Sequence, residues 1–330
     1  MFYSKKGKDI QCSLCNRKCV IPDGKRGFCG VRENQKGKLF ALSYGKACAF
    51  DLDPIEKKPF YHFYPGSTAL SIATVGCSFS CQHCQNWEIS QWRGEQIPGM
   101  DLPPEKIVES AKDKKCNIIA YTYTEPTIFY EYARDTGVLA RKAKMKNVFV
   151  TNGYATPEVV KDASKNFLDA ARIDLKGPKE HYKKVCGNVD YEKVLECISN
   201  YHKTGMHIEI ITLVIPGHND KKEWVKEAGE FLHSLSPDIP WHFTRFYPAW
   251  KMTDVEPTPV KTIENMHKWA KDAGMNYVYS GNIPGHEFDN TYCPNCNKIL
   301  IERKGYEVTK NRLTKQKKCP ECGHKINVVM

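Results

Sequence analysis

Eleven of the fifteen cysteines fall into three tight groups: Cys12, Cys15, Cys19 and Cys29; Cys77, Cys81 and Cys84; and Cys293, Cys296, Cys319 and Cys322. Cys48, Cys116, Cys186 and Cys197 stand alone. Thiols grouped in this way are metal ligands or catalytic groups in a reducing compartment, rather than disulfide partners. The central group reads Cys-x3-Cys-x2-Cys. Three thiolates on one loop can hold three irons of a [4Fe–4S] cubane and leave the fourth iron open to a chelating substrate or cofactor. The competing reading recruits His83 as a fourth ligand and makes a Cys3His zinc knuckle. At the C-terminal end, Cys293-x2-Cys296-x22-Cys319-x2-Cys322 has the spacing of a zinc ribbon, with a second iron–sulfur cluster as the alternative. For the N-terminal four, zinc is the first reading and an auxiliary iron–sulfur cluster the second.

The elements that must position these groups are legible in the pattern of the chain. From about residue 68, short apolar runs alternate with amphipathic stretches. Strands are expected at 69–75, 117–123, 147–151, 171–175, 207–215 and 241–247, with a possible further one at 276–280. Helices are expected between them: after Pro103-Pro104-Glu105, after Pro126, from Thr156-Pro157-Glu158, over 191–203, near Asp220 and near Pro259. Alternating β and α units imply parallel strands joined by right-handed crossovers. The expected fold is therefore α/β: a partial (β/α)6 barrel of TIM type, open on one side, with small Cys-rich metal-binding modules at both ends. Its expected divisions are an N-terminal Cys-rich module at 1–50, a linker at 51–67, the barrel at 68–290 and a zinc-ribbon-like module at 291–330. The central cysteine loop directly follows the first strand, at the end of the barrel where (β/α) chemistry sits.

The formal charge of +11 resides at the two ends. Residues 1–50 carry eleven Lys/Arg against three Asp/Glu, and residues 293–330 carry nine against three, so the remaining chain sums to −3. Metal-bound thiolates offset part of this excess, so nucleic acid is not the expected partner. No apolar run is long enough to span a bilayer, and the segment Met1-Phe2-Tyr3-Ser4-Lys5-Lys6 lacks the apolar core of a signal peptide. The expected location is the cytoplasm, with no membrane partner.

Cys-x3-Cys-x2-Cys after the first strand of a β/α series resembles the radical SAM superfamily. The resemblance implies that S-adenosylmethionine (SAM) chelates the open iron of a [4Fe–4S] cluster. An electron then splits SAM into methionine and a 5′-deoxyadenosyl radical, which abstracts hydrogen from a substrate. A ferredoxin- or flavodoxin-type protein is the implied electron donor. Later segments resemble the SAM-binding stations of glycyl-radical activating enzymes such as the pyruvate formate-lyase activase. Tyr123-Thr124-Glu125-Pro126 ends the second strand, Thr151-Asn152-Gly153 the third, Asp174-Leu175-Lys176 the fourth and Leu213-Val214-Ile215-Pro216-Gly217 the fifth. By this resemblance Glu125, Asn152, Asp174, Lys176 and Ile215 are the cofactor-binding residues. Two positions depart from the pattern: Val150 stands where the activases carry Asp, and His83 where the superfamily prefers an aromatic ring.

A finer resemblance spans nearly the whole chain. Cys12-x2-Cys15-x3-Cys19-x9-Cys29-Gly30-Val31-Arg32, Asp53-Pro54-Ile55-Glu56-Lys57-Lys58-Pro59, Cys84-Gln85-Asn86-Trp87 and Tyr279-Ser280-Gly281-Asn282 together look like the radical SAM member of the AmmeMemoRadiSam system. That likeness implies Memo-type and AMME-type partner proteins and names no substrate. Two other readings stand beside it: an activase that places a radical on a partner's glycine, and a non-enzymatic, zinc-dependent RNA-binding protein.

Overall fold

Strands buried on both faces read as continuous apolar runs, and here they assemble in the order in which they are written. The structure, a computed structural model, describes residues 1–330. Its main sheet has eight strands: β1 (Ala49–Pro54), β2 (Thr68–Ala73), β3 (Ile118–Tyr121), β4 (Lys146–Thr151), β5 (Ala170–Asp174), β6 (His207–Val214), β7 (Trp241–Arg245) and β8 (Val278–Gly281). Spatial order equals sequence order, and the two edge strands do not pair with each other. Strands β2 to β8 run parallel, with registers such as Leu70↔Ile119, Val148↔Ala170 and Trp241↔Val278. Six β/α units followed by a seventh parallel strand make the expected open barrel, and the segment at 276–280 is that last strand.

The linker expected at 51–67 is corrected. Its first residues belong to β1, which pairs antiparallel with β2 from Ala49↔Ala73 to Pro54↔Thr68. The acids Asp51 and Asp53 disguise this strand, but Asp53 is an internal residue whose charge is fully engaged. It accepts from Lys57 Nζ at 2.7 Å, Lys58 Nζ at 2.6 Å, Ser71 Oγ at 2.9 Å and Tyr123 Oη at 2.5 Å.

The crossover helices are α1 (Pro104–Asp113), α2 (Tyr130–Lys142), α3 (Pro157–Asn166), α4 (Tyr191–Lys203), α5 (Lys222–Leu235) and α6 (Val260–Asp272). Proline at the first helical position starts α1 and α3, where a missing N–H costs nothing. The Asp190 carboxylate caps α4 by accepting from Glu192 N–H at 3.0 Å. Each helix buries one stripe against the sheet; in α1 it is Pro104, Ile107, Val108 and Ala111, at the i, i+3, i+4, i+7 spacing of one face. None of the helices is long and apolar enough to cross a membrane.

Both Cys-rich ends dock on the barrel. Near the N-terminus, short antiparallel strands Tyr3–Lys6, Asp9–Cys12 and Val20–Ile21 form a small sheet, and Cys15 bridges to Ala155 beyond the end of β4. The tail forms a second antiparallel sheet from Thr291–Tyr292, Ile299–Lys304 and Glu307–Asn311. It occupies the open side of the barrel. Cys293, Leu300, Ile301, Cys319, Ile326 and Val328 share one apolar cluster with Tyr61, Tyr277 and Tyr279. Val329 forms a parallel bridge with Phe63, with Tyr64 N–H donating to Val329 O and Val329 N–H to His62 O, each at 2.7 Å. The tail thus touches β8 on one side and the chain leaving β1 on the other.

Candidate active site

The cysteine loop leaves β2 and is held from below. Ser80 N–H donates to Cys186 O at 3.2 Å and Gln82 N–H to Val185 O at 2.9 Å. Phe79 is buried edge-on against Tyr154. Cys77, Cys81 and Cys84 line one wall of a cavity of about 770 Å³ at the C-terminal ends of the strands. Donors reach two of the sulfurs: Phe79 N–H meets Cys77 Sγ at 3.3 Å, Asn152 Nδ2 approaches it at 3.7 Å, and Ser90 Oγ lies 3.2 Å from Cys84 Sγ. Burial pushes the Cys77 and Cys84 thiols up, and the adjacent Cys186 thiol together with burial does the same to Cys81. Buried thiolates in such a site require a cationic partner, and soft sulfur donors suit iron. The donor set therefore fits a cubane, which three thiolates would hold with one iron lacking a protein ligand. His83 lines the cavity, and its Nδ1 is buried without a partner in the chain.

Four of the five expected cofactor residues, Glu125, Asn152, Asp174 and Lys176, line this cavity, but not in equivalent ways. The Glu125 carboxylate is wholly buried and already accepts four hydrogen bonds: Thr127 N–H at 3.0 Å, Thr127 Oγ1 at 2.6 Å, Thr151 Oγ1 at 2.9 Å and Asn152 N–H at 2.7 Å. It organises the turn after β4 rather than offering a free charge. Asn152 in turn donates through Nδ2 to Ser78 Oγ at 3.0 Å, while its Oδ1 is buried with no partner in the chain. Asp174 pairs with Arg172 and, at 2.6 Å, with Lys176 Nζ.

Ile215 is not in the cavity wall. Strand β6 ends at Val214, the chain turns where Ile215 N–H meets Asn219 Oδ1 at 2.7 Å, and the side chain packs on Val185, Phe246 and Met252. Leu213 and Ile211 line the cavity instead.

Sequence reasoning missed four contributors. Arg172 projects from β5 into the cavity, with its Nε buried and unpartnered. Its signal was available: Arg172, Asp174 and Lys176 alternate along an otherwise apolar strand, which puts three charges on one face. Glu209 is a buried hub, accepting from Tyr61 N–H, His62 N–H, His207 Nε2 and His242 Nε2 at 2.7–3.0 Å. That bond holds His242 at the cavity. Asp289 and Arg303 come from the barrel's end and the tail, and no local pattern marks them.

Asp289 gives the site a pH dependence. Burial pushes its carboxyl from an ordinary value near 3.8 up to about 6, although Ser280 Oγ donates to it at 3.0 Å. The folded chain then binds a proton that the unfolded chain has released, so this group's contribution is full below the unfolded value and lost as pH rises through the folded one. Asp289→Asn should gain stability relative to wild type between about pH 4 and pH 6 and no further above that window. Urea unfolding of both chains across pH 4–8 checks this. A constant difference would show that Asp289 does not titrate in that range.

The fold and the site define a radical SAM enzyme, and the comparisons agree. Residues 71–228 match the family model described as the radical SAM superfamily. The chain belongs to the radical SAM superfamily. Along its full length it is 45% identical to an uncharacterized protein of Methanocaldococcus jannaschii, covering 100% of this chain and 99% of that one. It is 21% identical to a GTP 3′,8-cyclase of Aliarcobacter butzleri over 71% of this chain and 77% of that one. Among solved structures, Streptococcus suis SuiB bound to S-adenosylmethionine shares the fold, with a TM-score of 0.51 and 13% identity over 69% of this chain and 53% of SuiB. The reading as a non-enzymatic RNA-binding protein is set aside. The family's chemistry uses a [4Fe–4S] cluster and SAM.

Proposed function

We propose that the chain cleaves SAM at Cys77, Cys81 and Cys84 and delivers the radical to a small substrate held in the same cavity. The observation that carries this reading is that the three sulfurs, Asn152, Asp174 and Lys176 all line one cavity of about 770 Å³. Cys77, Cys81 and Cys84 would hold a [4Fe–4S] cluster, which would supply the electron for reductive cleavage of SAM. The chain's own residues bind, orient and exclude water. Lys176, already oriented by Asp174, supplies a cation for the SAM carboxylate. Asn152 Oδ1 supplies an unclaimed acceptor beside Cys77. Glu125 positions Asn152 through its backbone N–H. His83 supplies an aromatic face with a free ring nitrogen. Arg172, Lys58 and Asp289 also line the cavity, Arg172 paired with Asp174 and Lys58 with Asp53.

The tail cysteines favour zinc: Cys293–Cys322 and Cys296–Cys319 are 3.6 Å apart, near the ~3.8 Å edge of a tetrahedron with Zn–S bonds of about 2.3 Å. The whole-length resemblance points to a cytoplasmic setting, to Memo-type and AMME-type partners, and to a ferredoxin- or flavodoxin-type donor.

Lys176→Ala should weaken SAM binding by about ten- to a hundredfold while the cluster remains, the effect of losing one charge-assisted contact of ~1.5–3 kcal/mol. Glu125→Gln should instead lower the stability of the loaded protein, because an amide N–H₂ would face donors. SAM titration followed by EPR, with urea unfolding alongside, separates the two. An unchanged SAM-induced EPR shift in Lys176→Ala would remove this residue from the SAM site.

A further inference from the structure

The three cysteine groups differ in how far they close. In the tail all four sulfurs lie within 4.8 Å of one another. Neither other group brings even three sulfurs that close. Cys12, Cys15, Cys19 and Cys29 instead stand around a single cavity, with Leu14 and Ile21 completing an apolar wall. A lone zinc needs four sulfurs on one ion, whereas a cubane binds each thiolate through a different iron and holds them farther apart. In this respect the N-terminal four match Cys77, Cys81 and Cys84 and not the tail.

Their surroundings also suit a buried anionic cluster. Backbone N–H groups of Leu14, Arg17 and Val31 face the sulfurs of Cys12, Cys15 and Cys29. The Arg32 guanidinium, wholly inside the protein, lies near Cys12 and Cys29 and is fixed by Glu131 and by Ile128 O at 2.8 Å.

This site adjoins the catalytic loop. Gly76, the residue before Cys77, has φ +101°, and a Cβ there would lie 2.6 Å from Cys29 O, so the two cysteine segments are in direct backbone contact. Arg17, between Cys15 and Cys19, donates from Nε to Ser78 O at 2.8 Å. Ser78 lines the N-terminal cavity, and Arg93 lies near both Cys29 and Cys77. The module also carries the exposed lysines Lys5, Lys6, Lys8, Lys18 and Lys25, which would attract an acidic partner.

We propose that Cys12, Cys15, Cys19 and Cys29 hold a second [4Fe–4S] cluster that relays single electrons from a reduced ferredoxin- or flavodoxin-type protein to the catalytic cluster. In each transfer the donor is oxidised by one electron, the second cluster is reduced and reoxidised, and the catalytic cluster is reduced; no atom moves. The relay, though not the metal site itself, rests on the function proposed above.

Full-length wild type reconstituted anaerobically should hold about eight irons and a single zinc. The Cys77→Ala, Cys81→Ala, Cys84→Ala chain should keep about four irons and a reducible EPR signal that SAM does not shift. Wild type with about four irons and two zincs, or a triple variant without iron, would overturn the site. For the relay, Cys19→Ala changes only the least buried ligand. Its ratio of flavodoxin-driven to dithionite-driven SAM cleavage should fall at least tenfold, and a wild-type ratio in a variant that has lost the second cluster would overturn the relay. A SAM-induced EPR shift in wild type tests the catalytic reading separately, so the two can fail independently.

Discussion

Replacing Cys77, Cys81 and Cys84 together with alanine is expected to bring 5′-deoxyadenosine formation to background and to abolish the EPR shift caused by SAM. The effect is complete because no other cysteine lines the cavity, so no other cluster would offer SAM an open iron; the protein supplies binding, orientation and exclusion, and the cofactor supplies the bond cleavage. The barrel should survive the change. The three side chains sit on a loop beyond β2, and the loop's backbone hydrogen bonds to Val185 and Cys186 do not involve the sulfurs. Retention of a cooperative unfolding transition would confirm an intact fold. Cleavage at even a tenth of the wild-type rate would place the radical chemistry elsewhere.

The second large effect is expected at Arg303. This side chain is buried within the chain and donates to Asp289 O at 3.1 Å, Thr291 Oγ1 at 2.9 Å and Tyr61 O at 2.7 Å. Its guanidinium stacks 4.1 Å from the Tyr61 ring and faces Glu56 at 3.6 Å. Glu56 is itself buried, and its other oxygen has no partner. Arg303→Ala leaves that carboxylate without a cation, held only by the Gly66 N–H at 2.9 Å, a loss of about 3–5 kcal/mol for a broken buried pair. Because Arg303 fastens the tail to the open side of the barrel, the variant should also make more 5′-deoxyadenosine without product, as water reaches the radical site. Adding Glu56→Gln should recover part of the stability. Urea unfolding and a substrate-free cleavage assay read the two effects separately. Lost stability with normal uncoupled cleavage would leave the tail a purely supporting role, and a loss below about 1 kcal/mol would show that the pair is not buried as described.

The parallel strands were legible because their burial on both faces writes apolar runs between turn residues, and the helices because proline and acid mark their starts. The tail cysteines were legible for a related reason: two Cys-x-x-Cys turns each keep a ligand pair close in sequence, and the fold brings the two pairs together. What escaped was set by contacts far apart in the chain. Strand β1 carries Asp51 and Asp53, which read as a solvated linker until Lys57, Lys58, Ser71 and Tyr123 converge on Asp53. Ile215 satisfied a motif, but the strand stops one residue too early for it to face the cavity. Glu125 matched a ligand position, and only the three-dimensional arrangement reveals that Thr127, Thr151 and Asn152 already donate to its carboxylate. Arg303 and Glu56 are 247 residues apart, so no window of sequence could pair them.

The strap at the end of the tail has a kinetic consequence. His62 Nδ1 and Asn327 O meet at 2.6 Å across a separation of 265 residues. Contacts of that range recover their loop-closure entropy only once the intervening sheet exists, so the strap belongs to the last folding events. By the same reasoning it is among the first to release when the native molecule opens locally, at a cost well below that of melting the sheet. Opening of this strap, rather than melting of the barrel, is then the cheapest way to expose the apolar cluster that Tyr61 and Tyr279 share with the tail.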